Sequence, residues 1–281
     1  MADDDFAGQV AIVTGGASGI GKALAIALAQ RRARVVIADN DGQRATEVAD
    51  QIGQAASAVS LNVTDGAAFG AVVDTVVAQH RRLDLLINSA GTAVGGEVQD
   101  LSLDHWNHVL DVNLKGVIHG VHAAYPAMVK QRTGHIVNLA SVAGLGPGPL
   151  LTPYATSKWG VVGLSLSLRA EAAHYGVGVT AVCPGVIETP LLERATPDGL
   201  PTPPSAPITR SWVSRDLGRP YPADAFALDV LRAIKRNRPV LTAPKRARQA
   251  AVLLRLFPAV AGRLAQRRVA QERARRQSTA S

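Results

Sequence analysis

The first half of the chain alternates between short apolar, β-branched runs and longer stretches with helical periodicity. Such runs, bounded by Gly, Pro, Asn or Asp, are typical of buried strands, and the stretches between them predict helices. The predicted strands are 10–15, 34–39, 57–63, 83–91, 134–141, 178–185 and 238–244. The predicted helices are 19–32, 42–52, 65–79, 103–130, which we expect to be broken or bent, and 154–175. This pattern predicts a Rossmann-like, doubly wound α/β fold: a seven-stranded parallel sheet with helices on both faces.

Two segments depart from this alternation. Segment 190–222 contains eight prolines and follows a predicted strand, so we expect it to leave the carboxyl edge of the sheet as a substrate lid loop. Segment 245–281 holds ten Lys or Arg and one Glu, a charge of +9, whereas the whole chain carries +8. We therefore predict a single dinucleotide-binding and catalytic domain over 1–244 and a basic amphipathic tail over 245–281.

The sequence of the tail predicts a helix with one basic and one apolar side, which a proline breaks or kinks. The residues concerned are Arg248 and Arg255, then Val252, Leu253, Leu256 and Phe257, and finally Pro258. Such a helix can lie on an anionic membrane surface, or pack on the protein or a neighbouring subunit, and both alternatives stay open. Nucleic acid is not favoured, because the tail lacks a row of aromatic residues on which bases stack.

Cysteine and histidine usage argues against a disulfide-bonded or metal-binding class of protein. Cys183 is the only cysteine, so no intrachain disulfide forms, and we expect a reducing, cytoplasmic setting with Cys183 as a small core residue. The N-terminus is acidic and lacks the pattern of a signal peptide. His105, His108, His119 and His122 are closely spaced, but no cluster of acids or cysteines accompanies them, so we expect no metal site.

A glycine-rich turn follows the first predicted strand. Gly15, Gly19 and Gly21 let the backbone approach a pyrophosphate at the start of a helix. Asp39 ends the second strand, where an acid can bind both ribose hydroxyls of NAD and repel the extra phosphate of NADP. No Lys or Arg stands at Ser18 or Asn40 to accept that phosphate. The turn predicts dinucleotide binding, with NAD favoured over NADP.

Six motifs, in order, make the sequence resemble the short-chain dehydrogenases/reductases over about residues 6–190. They are TGGASGIG (14–21), NSAG (88–91), NLKG (113–116), IVNLASVAG (136–144), YATSK (154–158) and CPGVIET (183–189). The resemblance implies four catalytic residues, namely Asn113, Ser141, Tyr154 and Lys158. Tyr154 would be the general acid/base, Ser141 would hold the substrate oxygen, and Asn113 would bind a water that relays protons to Lys158.

Tyr154 and Lys158 lie four residues apart, hence on one helix face. A neighbouring positive charge is expected to lower the pKa of the phenol, and the resemblance adds a hydrogen bond from Lys158 to the nicotinamide ribose. The cofactor contacts that the glycine turn and the resemblance imply are Gly15, Ser18, Gly19, Ile20, Gly21, Asp39, Asn62, Val63, Asn88, Ala90, Gly91, Tyr154, Lys158, Pro184, Gly185, Ile187 and Thr189. Two positions depart from the family pattern: Asn62 stands where Asp is common but still offers an acceptor for adenine, and Ser89 stands where Asn is common.

The segments that face substrate in this family are apolar here, and no charge lies between Val142 and Pro153. The predicted pocket residues are Leu145, Leu150, Leu151, Leu191, Leu192 and Trp212. We therefore expect an NAD-dependent enzyme that interconverts a hydrophobic secondary alcohol and its ketone, as a homodimer or homotetramer. Two alternatives stay open: an NAD(H)-binding sensor or scaffold without turnover, and a peripheral membrane protein that acts through its tail.

Overall fold

The computed structural model describes residues 5–193, 196–206, 210 and 219–280. Its strands are β1 Val10–Thr14, β2 Arg34–Asp39, β3 Ala56–Ser60, β4 Leu85–Asn88, β5 Gly134–Leu139, β6 Val177–Pro184 and β7 Val240–Ala243. Its helices are α1 Gly19–Ala29, α2 Gly42–Ile52, α3 Gly66–His80, α4 Leu103–Leu110, α5 Gly116–Gln131, α6 Thr152–Ala172, α7 Ala223–Lys235, α8 Lys245–Leu256 and α9 Pro258–Ala280. Every predicted strand is present, with ends that lie within three residues of the predicted ones.

The seven strands form one parallel sheet in the order β3-β2-β1-β4-β5-β6-β7. The central strands are buried along their whole length, because helices cover both faces of the sheet. One face packs on α1 and α7 through Leu28 and Phe226, and the other packs on α3, α5 and α6 through Phe69 and Met128. The predicted doubly wound, seven-stranded fold is confirmed.

Two predicted helices are interrupted or end earlier in the structure, and one helix of the structure was not predicted. Predicted helix 103–130 is indeed broken: Asp111–Lys115 forms a π-helical turn between α4 and α5. Helix α1 ends at Ala29, three residues before the predicted end, because the chain reverses there and Arg32 takes a positive φ of 65°. Helix α7 was not predicted, although its apolar positions recur at helical spacing, because the proline-rich segment before it obscured its start.

The described part of segment 190–222 lies at the carboxyl edge of the sheet, as expected. Pro190–Leu192 forms a short 3₁₀ turn. Farther on, Ser205 Oγ accepts a 2.7 Å hydrogen bond from the backbone N–H of Glu97, in the loop after β4. Trp212, predicted for the substrate pocket, lies outside the described residues. That the segment opens and closes as a lid stays a prediction.

The tail folds into two helices that meet at Pro258, where the sequence predicted a break. Ala251 and Ala261 are buried against the rest of the protein. Near the end of α9, the guanidinium groups of Arg273 and Arg276 lie 2.5 and 2.7 Å from the carboxylate of Glu97. The tail is therefore attached to the α/β body at the loop after β4. None of the helices in the described ranges has the length and hydrophobicity needed to span a bilayer.

Candidate active site

The strand order reverses between β1 and β4, and ligands of open α/β sheets bind beyond the carboxyl ends of the strands at such a point. Thr14, the last residue of β1, holds the two strand ends together. Its Oγ1 accepts hydrogen bonds from the backbone N–H groups of Ser89 and Ala90, at 3.1 and 3.2 Å. The loops after β1 and β4 therefore form the two walls of one crevice.

The glycine loop between β1 and α1 passes close to other backbone. Gly15 has φ +63°, and a Cβ there would lie 2.7 Å from the Cα of Ala90. A Cβ on Gly21 would lie 2.1 Å from the carbonyl oxygen of Gly15. Only glycine allows this packing, which directs the N-terminus of α1 into the crevice, where free N–H groups favour an anionic group.

Asp39, at the end of β2, faces the glycine loop. Its Oδ2 accepts a 3.0 Å hydrogen bond from the N–H of Ala17, and its Oδ1 accepts one of 3.1 Å from the N–H of Asp41. These bonds fix the carboxylate at the rim of the crevice, where the sequence placed it.

A cavity of about 570 Å³ fills the crevice and extends to Tyr154 and Lys158, two of the four predicted catalytic residues. Of the predicted cofactor contacts, those that line it are Gly15, Ser18, Gly19, Ile20, Gly21, Asp39, Asn62, Val63, Ala90, Gly91, Tyr154, Lys158, Pro184 and Thr189. The cavity runs from Asp39 to Tyr154 past the N-terminus of α1, so its polar groups lie in the order that ribose, pyrophosphate and a reactive ring require. The residues present therefore fit a dinucleotide.

Three predicted cofactor contacts lie outside this lining. Asn88 is buried beneath it, where its Nδ2 donates a 2.8 Å hydrogen bond to Asn138 Oδ1 and holds β4 to β5. Ile187 is packed in the core, and Gly185 faces Ala247 of α8. Sequence motifs cannot separate such supporting residues from those that face a ligand, because both are required for one local structure.

Other lining residues were not predicted. They are Ala17, Asn40, Asp41, Arg44, Leu61, Ser89, Thr92, Ala93, His108, Val112, Leu139, Ala140, Pro190, Pro197 and Asp198. Arg44 matters most, because it brings a cation to the Asp39 end from α2, whereas Ser18 and Asn40 carry no charge. In addition, Asn62 Oδ1 already accepts from the N–H and hydroxyl of Thr64, so the acceptor expected for adenine is used locally.

Asn113 lies within the π-helical turn and is fully buried. Its Oδ1 accepts a 2.8 Å hydrogen bond from the N–H of Thr92, and its Nδ2 donates to the carbonyl of Thr92 and to Ser157 Oγ, at 2.9 and 3.1 Å. The side chain therefore fixes the loop after β4 against α6. A water relay through Asn113 stays a prediction, because these three bonds already engage both the oxygen and the nitrogen of its side-chain amide.

Tyr154 and Lys158 line one end of the cavity, and Ser141 lies beside Tyr154. Ser141 follows β5, where its Oγ accepts a 3.1 Å hydrogen bond from the backbone N–H of Ala143, and Tyr154 is on the first turns of α6. One turn on, Lys158 Nζ donates a 2.7 Å hydrogen bond to the carbonyl of Leu139 and lies 5.5 Å from the centre of the Tyr154 ring. A cation, a phenol and a hydroxyl thus share one site, as the sequence predicted.

The electrostatics of this group differ from the expectation. Burial raises the pKa of Tyr154, while the neighbouring Ser141 hydroxyl opposes the rise. Burial lowers the pKa of Lys158 to about 8. Proximity to Lys158 is therefore not sufficient to lower the pKa of the phenol in the protein without cofactor, because desolvation has the larger effect.

Cys183 and two of the closely spaced histidines are held in structural surroundings. The Cys183 thiol is buried, which raises its pKa to about 12, so it is protonated near neutral pH. His105 is bonded to Ser102 and to the carbonyl of Pro201, and His119 to the carbonyl of Val63. Within the described part of the chain, no three His, Cys, Asp or Glu side chains come together in a way that could hold a metal ion.

The structure separates the predicted substrate pocket. Leu191 lines the cavity described above, and Leu192 is buried beside it. Leu145 instead lines a second cavity of about 600 Å³, on the other side of α6, together with Trp159 and Leu254 of the tail. Leu150 and Leu151 line neither cavity, and Trp212 lies outside the described residues. The apolar residues do not form one continuous pocket, because Leu145 and Leu191 lie on different sides of Tyr154.

Comparisons with known proteins agree with this geometry. Residues 9–199 match the family model described as short chain dehydrogenase. The chain is 38% identical over 190 residues to the 3-oxoacyl-[acyl-carrier-protein] reductase of Thermotoga maritima, covering 66% of this chain and 77% of that protein. It is 37% identical over 185 residues to an uncharacterized oxidoreductase of Staphylococcus epidermidis, covering 66% of this chain and 80% of that protein.

A solved structure resembles the whole fold. A short chain dehydrogenase/reductase from Burkholderia phymatum, in complex with NAD, superposes with a TM-score of 0.83 at 29% identity and covers 91% of this chain and 95% of its own. The likeness extends well beyond residues 9–199, so it includes part of the chain that the family model leaves out. Since sequence, sheet order and the residues around the crevice all agree, the chain belongs to the short-chain dehydrogenase family, whose members are oxidoreductases.

Proposed function

We propose that the protein is an NAD-dependent oxidoreductase that interconverts a hydrophobic secondary alcohol and its ketone. The observation that carries the proposal is the group of Ser141, Tyr154 and Lys158 beside a cavity that starts at the glycine loop. A nucleotide-binding sensor or scaffold would not need a phenol, a hydroxyl and a buried ammonium group together at that place.

The residues divide the work of such a reaction. The cofactor, when bound, supplies the hydride acceptor or donor. Ser141 donates a hydrogen bond to the substrate oxygen, and Tyr154 Oη exchanges a proton with it. Lys158 adds positive charge beside the phenol, which stabilises its ionised form relative to a site without that charge. Water has to be kept from this end, and the buried position of Lys158 indicates that the protein already does so.

The choice of NAD rests on Asp39, whose carboxylate would accept from ribose hydroxyls and repel a 2′-phosphate. Arg44 is the competing feature, since it lines the same end of the cavity and carries the charge that such a phosphate would contact. We propose NAD because the carboxylate is fixed by two backbone N–H groups, whereas Arg44 is a longer and more adaptable side chain.

The substrate class is proposed from the apolar residues near Tyr154, with Leu191 as the described example. The Thermotoga relative is a reductase of 3-oxoacyl groups on a carrier protein, so a ketone beside an acyl chain is a second candidate. We also propose a homodimer or homotetramer, supported by the exposed apolar residues Ile118, Trp159 and Leu166 on α5 and α6. Light scattering of the purified chain tests the assembly.

The experiment is a pair of fluorescence titrations, with NADH and with NADPH, followed by turnover assays. The assays pair NAD with a panel of alicyclic, terpenoid and aryl secondary alcohols, and NADH with the matching ketones and a 3-oxoacyl thioester. Preferential NADH binding with turnover of the apolar alcohols supports the proposal. Turnover of the thioester alone would replace the substrate class, and binding without any turnover would favour the sensor.

A further inference from the structure

The corner between α8 and α9 exposes an unusual number of large apolar side chains. Val252, Leu253, Leu256, Phe257, Val260 and Leu264 are exposed by 52%, 49%, 66%, 52%, 40% and 49%. We call these six residues the corner patch. Single exposed leucines are ordinary, but six large apolar side chains exposed within one short stretch around the junction of two helices mark an interaction surface.

Arginines border the corner patch. On α8, Arg248 and Arg255 lie seven residues apart and therefore on one flank of the apolar stripe, and Arg246 lies on the other flank. On α9, Arg263 and Arg267 lie next to Val260 and Leu264 at helical spacing. All five arginines are exposed. Two flanks of one charge around an apolar centre form a basic amphipathic surface.

The opposite side of the corner is already occupied by the protein itself. Leu254 and Ala261 face the segment after β5, where Leu254 Cδ1 would lie 3.1 Å from a Cβ on Gly146. At the far end of α9, Arg273 and Arg276 contact Glu97. The two helices are therefore attached to the body at two places, near Gly146 and at Glu97. The corner patch lies on the other side of the helices, which is exposed.

We propose that the corner patch docks the protein on an anionic lipid surface. The apolar side chains would enter the boundary between headgroups and acyl chains, and the arginines would contact lipid phosphates and carboxylates. Charge complementarity favours this occupant over a second copy of the chain, because a two-fold pairing would set the arginines of one copy against those of the other. Nucleic acid would leave the apolar centre without a partner.

Vesicle co-sedimentation of the full chain, without cofactor or substrate, tests the proposal separately from the proposed reaction. The vesicles are phosphatidylcholine alone, or phosphatidylcholine with about 30% phosphatidylserine, at about 0.1 M and about 0.5 M salt. We expect binding to the anionic vesicles only, weakened by salt. Equal binding to both vesicle types, or no binding to the anionic ones, would overturn the proposal.

Two double variants separate the apolar from the charged contribution. Leu253→Ser with Leu256→Ser, and Arg248→Gln with Arg255→Gln, should each weaken anionic binding on the order of 10-fold or more. Leu103→Ser, at the exposed first position of α4, and Arg236→Gln, after α7, are matched controls that should bind like the wild type. Circular dichroism melting verifies folding. If the leucine variant changes the oligomeric state and leaves vesicle binding intact, the patch is an interface between copies and the proposal is wrong.

Discussion

At the carboxyl edge of the sheet, Lys158 is 4% exposed, and its ammonium group donates to the carbonyl of Leu139. In the tail, the side chain of Arg273 is 57% exposed and contacts the carboxylate of Glu97. The two cations differ in what their surroundings do to them. Burial lowers the pKa of Lys158 to about 8, whereas pairing with Glu97 raises the pKa of Arg273. The first cation can therefore respond to proton transfer nearby, and the second remains charged and serves attachment.

The same contrast applies to apolar side chains. Around the crevice, apolar residues such as Leu139 and Ile187 are buried and hold polar groups in place. At the corner of the tail, Leu256 is exposed by 66% and has solvent as its neighbour. Residue type alone therefore does not distinguish an apolar side chain that supports the active site from one that serves a docking surface, whereas burial does.

The largest effect is expected from Tyr154→Phe, which tests whether the carboxyl edge performs proton transfer. Removing the phenol hydroxyl should lower kcat by about 10²- to 10⁴-fold, because general acid–base catalysis contributes that much. NADH affinity should stay within about two-fold, since the ring that lines the cavity remains. Steady-state kinetics and the NADH titration measure both.

Tyr175→Phe is the matched control, because Tyr175 lies beyond α6 at the opposite edge of the sheet. It should retain wild-type kcat. If Tyr154→Phe retains more than about a tenth of the activity, another group transfers the proton. The carboxyl edge would then differ from the tail in burial, but not through proton transfer by Tyr154.

The fold and most of the crevice could be predicted because they depend on local patterns. β-Branched runs predicted the strands, and the glycine spacing after β1 predicted the loop whose geometry admits no Cβ at Gly15. Asn88 shows the limit: its motif placed it at the cofactor, but the structure buries it against Asn138. Whether a side chain faces a ligand or supports the loop depends on register between β4 and β5, which no single motif encodes.

Contacts between distant segments could not be predicted. Arg44 reaches the cavity from α2, and the pairing of Glu97 with Arg273 spans most of the chain. The sequence predicted that the tail is basic and amphipathic, but one amphipathic pattern fits a lipid surface and a protein surface equally. The structure resolves part of this ambiguity, because one side of the tail packs on the protein and the other side is exposed to solvent.

A smaller effect is expected from Asp39→Ala, which tests how the carboxyl edge of the sheet distinguishes NADH from NADPH. The variant removes an ionised acceptor from the ribose end, so NADH affinity should fall on the order of 10-fold, the usual scale for hydrogen bonds to a charged group. NADPH affinity should hold or rise, because the repulsion of a 2′-phosphate is removed and Arg44 remains. Parallel fluorescence titrations measure the ratio.

Arg44→Ala provides the counterpart to that substitution. It should leave NADH binding nearly unchanged in the wild-type background and cancel the gain in NADPH binding when combined with Asp39→Ala. An unchanged cofactor ratio in Asp39→Ala would mean that this carboxylate serves only the backbone of Ala17 and Asp41.

The smallest effect is expected from Glu97→Gln, which weakens the attachment of α9 and leaves the crevice intact. Its ion pairs with Arg273 and Arg276 lie near the surface, so the loss should be below about 1 kcal/mol. Hydrogen exchange measured by mass spectrometry should show lower protection of α9 in the variant at pH 7, with unchanged NADH affinity. Glu47→Gln, on exposed α2, is the control and should leave α9 as in the wild type.

The pH dependence of that difference identifies the carboxylate as its source. Hydrogen bonding with Arg273 lowers the pKa of Glu97 from 4.5 to about 2 in the folded protein. A lowered pKa means that the stabilisation is fully present above pH 4.5 and is lost as pH falls towards 2. The difference in protection between wild type and variant, corrected for intrinsic exchange rates, should therefore shrink between these values. A difference that stays constant over this range would show that the amide disturbs packing instead, and that α9 is held by contacts other than its charges.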